Sequence, residues 1–395
     1  MRTLYSNLLT ITFVLASTIC NAQFTEVFAV PNQDMVYALS ANDSNIFIGS
    51  GGRGMFRSPD NGDTWVDINN GIPNWYYFSL LASNDSLFAG SFGTVNLSAN
   101  NGNIWSDLHI GLGTNDYINS IVRKGQSLYI GVHLKGVYRN QLGTTNWDVV
   151  NNGFHTNPSI WDMMVIGNEI YAATDQGIYR SSDDAASWNF ISNGMPLNTT
   201  VFKLFFHNTV LFAGAATGLY KTTDWGNTWI ESANGLPQSS SITCFSELND
   251  SIFIGTYTGV YVSTNLGNSW SAFNSGLPGA ISIYASTIHK NYLYVGGTSV
   301  YRHVSSVTGI NQVTDDNRVT MEIYPDPVTD FVTVELSQGK GKYILSIVDL
   351  YGREIRSLNS DEHKLKIDLS DLKKGIYFIK YKNDQIIAKK RVIRI

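Results

Sequence analysis

The chain has 395 residues, of which 43% are hydrophobic and only 15% charged, a composition that builds a core and excludes a disordered protein. Its net charge of −5 offers no basic stripe to replace phosphate counterions, which argues against a nucleic-acid partner. Aromatic residues at 12%, with 35 glycines and 9 prolines, point to many short strands and tight turns.

The N-terminus has the order of a secretory signal: Arg2, an apolar stretch over residues 8–19 broken only by small hydroxyls, and Ala22 as a small residue before a cleavage point. A signal peptide over residues 1–22 is therefore expected. Cys20 follows the bulky Ile19, where lipid attachment calls for a small residue. Cleavage after Ala22 leaves Cys244 as the mature chain's only thiol, so no internal disulfide is possible and packing alone must hold the fold. No later segment reaches the 18 continuous apolar residues of a membrane span.

From residue 23 the chain repeats itself. Trp65, Trp105, Trp147, Trp188, Trp229 and Trp270 follow one another at intervals of 40, 42, 41, 41 and 41 residues, each with a glycine six positions later. A short apolar strand recurs seven times, as "IFIG" (46–49), "LFAG" (87–90), "LYIG" (128–131), "IYAA" (170–173), "LFAG" (211–214), "IFIG" (252–255) and "LYVG" (293–296). Each unit reads as four short strands joined by Asn-Asp, Gly and Asn-Gly turns; in the second they fall at 76–83, 86–91, 94–98 and 105–109. A lone four-stranded sheet cannot bury both faces, whereas sheets stacked around an axis can. The expectation is an all-β fold with a seven-bladed propeller over residues 23–308. One repeat of 41 before Trp65 lies Phe24, and "FTEVFAV" (24–30) alternates like "WVDINNG" (65–71). The first mature strand is thus predicted to complete the last blade.

Before each tryptophan lies a polar octet: "SPDNGDTW" (58–65), "SANNGNIW" (98–105), "NQLGTTNW" (140–147), "SSDDAASW" (181–188), "TTDWGNTW" (222–229) and "STNLGNSW" (263–270). Asp60 is placed to accept from backbone N–H groups of its own turn, Gly62 to supply a positive φ, Ser58 and Thr64 to bond across it, and Trp65 to pack beneath. The same positions recur as Asn100, Gly102 and Trp105; Trp147; Asp183 and Trp188; Asp224, Gly226, Thr228 and Trp229; and Asn265, Gly267 and Trp270. Turns between outer strands sit on the rim and do not converge, so these residues are read as structural. The octets resemble the Asp-box (BNR) repeat; the first and fifth match its pattern in full, two carry Asn for Asp, one lacks the glycine and one is degenerate.

After His303, residues 304–320 are polar and lack the repeat, with a linker expected at 309–318. Residues 319–395 have no tryptophan and carry 14 Lys+Arg against 11 Asp+Glu. Alternating stretches at 331–336, 343–350, 364–369, 375–381 and 389–395 predict a small antiparallel β-sandwich, Ig-like in class. "IYPDPVTDFVTVEL", "LSIVDLYGREI" and "IDLSDLKKGIYFIKY…KKRVIRI" resemble the C-terminal sorting domain of the type IX secretion system of Bacteroidetes, with Asp326 where that family usually has Asn. The resemblance implies contact with that secretion machinery and a secreted or outer-membrane-surface protein reached through the periplasm. It also implies, for many members, removal of the tail with attachment to surface lipopolysaccharide.

Ligands of propellers lie at the axial opening, on loops that here contain Arg53, Trp75, Tyr76, Tyr77, Phe92, Tyr117, His133, Lys135, His155, Trp161, Asp175, Gln176 and Tyr257. Aromatic rings with a few polar groups suit sugar stacking or peptide binding, and equally suit plugging gaps at blade tops. Resemblance to the Asp-box repeat raises sialidases, which clamp a carboxylate with three arginines. Arg57, Arg139, Arg180 and Arg302 occupy one repeat position, shared with Lys221, which leaves only Arg53 and Arg123 and no triad. Two-propeller glycosidases use facing aspartates, for which Asp116, Asp162 and Asp175 are the loop candidates. Other single propellers of this kind, such as photosystem II assembly factors and sortilin receptors, are binding platforms. No metal-ligand spacing and no phosphate loop is present, so no cofactor and no metal are expected. The reading is a monomeric binding module for a glycan or protein, with a carbohydrate-active enzyme as the alternative.

Overall fold

The computed structural model describes residues 23–304 except 73–74, 109–110, 145 and 239, and, in the tail, residues 321–324, 328–336, 342–349, 354–373, 375–382 and 387–394. The expected signal peptide, the linker at 309–318 and Asp326 lie outside the described residues.

Seven antiparallel sheets of four strands make up the repeat region. In blade 1 these are Val36–Ala41, Ile46–Ser50, Met55–Ser58 and Val66–Asp67, from the inside outward. Inner strands of successive blades touch one another in order, and the inner strand of blade 7, Ala285–His289, touches that of blade 1, so the ring closes. The second strands, which carry the recurring apolar motif, are buried on both faces; Phe47, Ile130, Tyr171, Phe212 and Tyr294 are each at most 1% exposed. That dense layer supplies the cohesion which a chain without a disulfide must find in packing.

Blade 7 borrows its outer strand. Phe24–Ala29 pairs with Ser299–Val304, joining Phe24 to His303 and Ala29 to Ser299. Phe24 takes the place that tryptophan holds elsewhere. The backbone N–H groups of Trp188, Trp229 and Trp270 donate to Asn152, Asn193 and Asn234 of the preceding blade, and Phe24 N–H donates likewise to Ser275 O at 2.8 Å. Gly153, Gly194 and Gly235 press on the carbonyls of those same tryptophans, and Gly276 presses on that of Phe24, where an added Cβ would lie only 2.2 Å away.

Every one of the six indoles donates across a blade boundary. Nε1 of Trp65, Trp105, Trp147, Trp188, Trp229 and Trp270 reaches the carbonyls of Val27, Ile68, Leu108, Val150, Ile191 and Ser232 at 2.6–3.1 Å. Each acceptor stands three residues past the preceding aromatic, and Val27 stands three past Phe24. At the repeat position just before the octet, a basic side chain does similar work in several blades. Arg57, Arg180, Lys221 and Arg302 donate to the turn carbonyls of Asn101, Trp225, Leu266 and Asn61 in the following blade.

The octets are closed locally. Asp60 Oδ1 accepts from Ser58 Oγ and Thr64 N, its Oδ2 accepts from Thr64 Oγ1 at 2.6 Å, and Ser58 Oγ accepts from Gly62 N at 2.7 Å. Gly62 has φ +92°, and Ala185 takes φ +65° where the fourth octet lacks glycine. The degenerate third octet inverts the polarity, with Asn140 Nδ2 donating to Asn146 O at 2.7 Å. Hydroxyl and amide donors hold the carboxyls of Asp183 (Ser187 foremost) and Asp224 (Thr222 foremost) down at about 2. A carboxyl with a depressed folded pKa adds stability above its unfolded value of 3.8, and loses it as pH falls toward 2. Urea midpoints of the wild type are thus expected to fall between about pH 4 and pH 2 more steeply than those of an Asp183→Asn/Asp224→Asn variant. The variant itself should fold, since Asn265 Oδ1 already accepts from Ser263 Oγ at 2.9 Å and Ser269 N at 3.0 Å.

The tail is a second β unit. One sheet joins Met321–Tyr324, Phe331–Leu336 and Lys364–Asp368; the other runs Glu354–Ser360, Tyr343–Asp349, Gly375–Lys382 and Ile387–Arg394. Val332, Val334, Leu345, Ile347, Ile367, Ile379 and Val392 form its core.

Candidate functional site

The inner strands deliver side chains to the axial opening by a repeated device. In blades 1, 3, 4, 5 and 6 the pairing of the inner strand skips its second residue, leaving Tyr37, Asn119, Trp161, Phe202 and Thr243 outside the ladder. In blades 2 and 7 the ladder starts one residue later, at Ser79 and Ala285, so that Phe78 and Tyr284 fall in the same place. An unpaired residue at a strand end is turned away from the sheet, and here all seven line one mouth of about 490 Å³.

Five of the seven are aromatic, and loop residues extend them into a continuous crescent. Ring contacts run from Tyr257 through Tyr284, Tyr37 and Phe78 to Phe92 and Tyr117, then through His133 and Trp161 to Phe202. Their centroids are 4.9–6.0 Å apart, and most pairs are edge-to-face or tilted. The crescent opens at blade 6, where Thr243 replaces a ring. Trp161 Nε1 is buried without a hydrogen-bond partner.

Below the mouth lies a narrower throat of about 230 Å³ that shares Tyr37, Phe78, Asn119, Lys203 and Tyr284 with it. Its lining sets polar groups, Ser79, Ser120, Asp162, Lys203 and Ser286, among apolar ones such as Leu39, Ile121 and Phe245. Asp162 Oδ2 accepts from Leu204 N at 3.0 Å, and Lys203 Nζ lies 3.6 Å from Oδ1. Burial pushes the Cys244 thiol up, away from the reactive thiolate. Asp162 is the one carboxylate among the described residues that line either cavity.

The sequence-predicted residues divide. Tyr117, His133, Trp161 and Tyr257 line the mouth, and Phe92 and the exposed Tyr76 adjoin it through ring contacts. Arg53 is paired with Asp34 at 3.1 Å and Lys135 with Asp116 at 2.7 Å. Trp75 is exposed, its carbonyl accepting from Gly52 and Gly54. Asp175 Oδ1 accepts from Ser159 N at 3.1 Å, and Gln176 Nε2 donates to Thr156 Oγ1 at 2.7 Å. Two residues sit elsewhere. Tyr77 is fully buried, its hydroxyl donating to Asn96 Oδ1 at 3.1 Å inside blade 2. His155 contacts Tyr179 and Phe190 on the outer half of blade 4. Sequence reasoning missed Tyr37, Phe78, Asn119, Phe202, Lys203, Thr243 and Tyr284. The signal was present, since the seven mouth positions recur at 41 or 42 residues.

Residues 322–394 match the family described as the secretion system C-terminal sorting domain. This tail directs export to the cell surface or secretion and engages the type IX machinery. No curated protein matches the chain by sequence. Among solved structures, the chain is similar to the extracellular domain of a hybrid two-component system, BT4673, from B. thetaiotaomicron, with TM-score 0.62, 15% identity, and coverage of 93% of this chain and 52% of that one. It is similar to PorZ, a surface component of the type IX secretion system of Porphyromonas gingivalis, with TM-score 0.57, 13% identity, and coverage of 91% and 59%. It is also similar to the GH74 enzyme of Niastella koreensis, with TM-score 0.56, 11% identity, and coverage of 92% and 73%. The chain thus spans little more than half the length of the first two. At such identities the likeness is one of fold, which in those proteins belongs to an extracellular domain, a surface component and an enzyme.

Proposed function

We propose that the protein is a cell-surface carbohydrate-binding module whose ligand occupies the axial mouth. One observation carries this reading: an aromatic crescent drawn from all around the ring stands over a polar throat that holds a single carboxylate. Sugar rings present C–H faces that stack on aromatic faces, while adjacent hydroxyls on one sugar suit a carboxylate and an ammonium side by side. Asp162 and Lys203 offer that pair. Glycoside hydrolysis by the usual route needs two carboxyl groups flanking the bond, and Asp162 has no acidic neighbour in either lining. Asp116, bound to Lys135, and Asp175, bound to Ser159 N, are engaged in loop structure. The octets act as ties of the ring, and the tail delivers the module to the surface, where exchange of the tail for lipopolysaccharide would anchor it.

A glycan array and a hydrolysis assay on the full chain test this reading. Retention without turnover is expected, weakened about tenfold by Trp161→Ala, since one lost aromatic platform is worth about 0.5–1.5 kcal/mol beyond its area. Absence of any retained glycan defeats the proposal. Product release that disappears in Asp162→Asn replaces it with an enzyme.

A further inference from the structure

The opposite ends of the inner strands carry a feature that the repeat does not require. His207 closes the inner strand of blade 5, Val201–His207. Glu247 is the penultimate residue of the inner strand of blade 6, Ile242–Leu248, and Asp250 follows in its turn. One imidazole nitrogen and one oxygen from each carboxylate lie within 4.8 Å of one another, the one such trio among the described residues. Phe202 and Thr243 are the second residues of the same two strands, so this corner lies roughly 15 Å from the mouth at about 3.3 Å per residue.

The imidazole is the informative member. Its side chain is 1% exposed, and Nδ1 lies 2.7 Å from Glu247 Oε2 yet makes no directed hydrogen bond. The other nitrogen, Nε2, sits 2.9 Å from the Asn208 side-chain amide. The amide nitrogen is a donor and Nε2 accepts from it, so Nδ1 is the ring position left beside Glu247, buried and filled by no directed bond. A divalent cation that takes this position displaces the ring proton and sets its own charge between the nitrogen and the carboxylates. The ring is also fixed parallel to Phe205, with 6° between the planes.

We infer that His207, Glu247 and Asp250 form a site for a first-row divalent cation of the zinc type. Imidazole nitrogen with carboxylate oxygen is a donor set that zinc accepts at about 2.0–2.2 Å, whereas calcium takes oxygen ligands alone. Tetrahedral ligand atoms at that distance stand about 3.4 Å apart. Glu247 and Asp250 are exposed and rotatable, so the trio contracts without disturbing the strands. The cation would tie blade 5 to blade 6 on the face opposite the mouth.

Calorimetric titration of the untagged full chain with zinc, and separately with calcium, tests the inference. Saturable uptake of one zinc per chain is expected, with no comparable calcium uptake and at least a tenfold loss of zinc affinity in both E247Q and D250N. These surface substitutions leave the fold intact, whereas a change at buried His207 tests folding as well. A thermal midpoint raised by zinc in the wild type, but not in the E247Q/D250N double variant, gives a second readout. No saturable zinc uptake, or uptake unchanged in the double variant, overturns the site.

Discussion

Phe24→Ala is expected to destabilise the entire ring by about 3–5 kcal/mol, the usual cost of emptying a buried phenylalanine site. Phe24 is 2% exposed and packs edge-on against Phe273 and His303 at 5.8 and 5.0 Å. It belongs to the same cluster as Phe253, Val260, Leu293 and Tyr301, which spans blades 6 and 7. Loss of the ring therefore opens a junction between blades and does not merely fray an end. Deleting residues 24–30 goes further. It removes the outer ladder of blade 7 and the Val27 carbonyl that accepts from Trp65, so blades 7 and 1 part together. Scanning calorimetry should show one transition moved down by roughly 10 °C for the point variant, taking about 2–4 °C per kcal/mol for a domain of this size. A deletion variant that melts at the wild-type temperature would show that the ring does not depend on this strand.

Trp229→Ala should cost more, about 4–8 kcal/mol, and comparison with Trp229→Phe separates two causes. The side chain is 2% exposed and packs on Ile191, Met195 and Tyr220. Its indole donates to Ile191 O at 2.6 Å across the boundary between blades 4 and 5. Alanine removes packing and leaves a buried carbonyl unpaired, for about 3–5 kcal/mol from the cavity and a further 1–3 kcal/mol from the carbonyl. Phenylalanine restores most of the volume and loses only the bond. Position 24 is that variant made by nature, a benzene ring in the tryptophan slot of blade 7. Urea denaturation of both variants measures the split; equal losses would mean that packing contributes little and the bond nearly everything.

The fold was legible because its signals repeat. A tryptophan every 41 residues and an apolar strand recurring seven times fix both the number of blades and the role of Phe24. The tie made by each indole was not legible, since nothing in "SPDNGDTW" reveals that Trp65 Nε1 reaches Val27 O in another blade. Much of the mouth was missed for a different reason. Loop residues such as Arg53, Lys135 and Asp175 look functional, being polar, but each is engaged by a neighbouring group. The mouth is built instead from single residues that inner strands leave unpaired, and Tyr37 or Phe202 reads in sequence as one more apolar residue of a strand.

The borrowed outer strand has a kinetic consequence. Thr25 and Arg302 meet across 277 positions of chain, so the first strand of the ring is among the last to find its partner. Contacts of such long range make folding slow. Until the final strand arrives, six finished sectors remain an open arc with an unsatisfied edge at either side. Such edges stay open to pairing with other chains until the ring closes, so the delay is a period of exposure to aggregation.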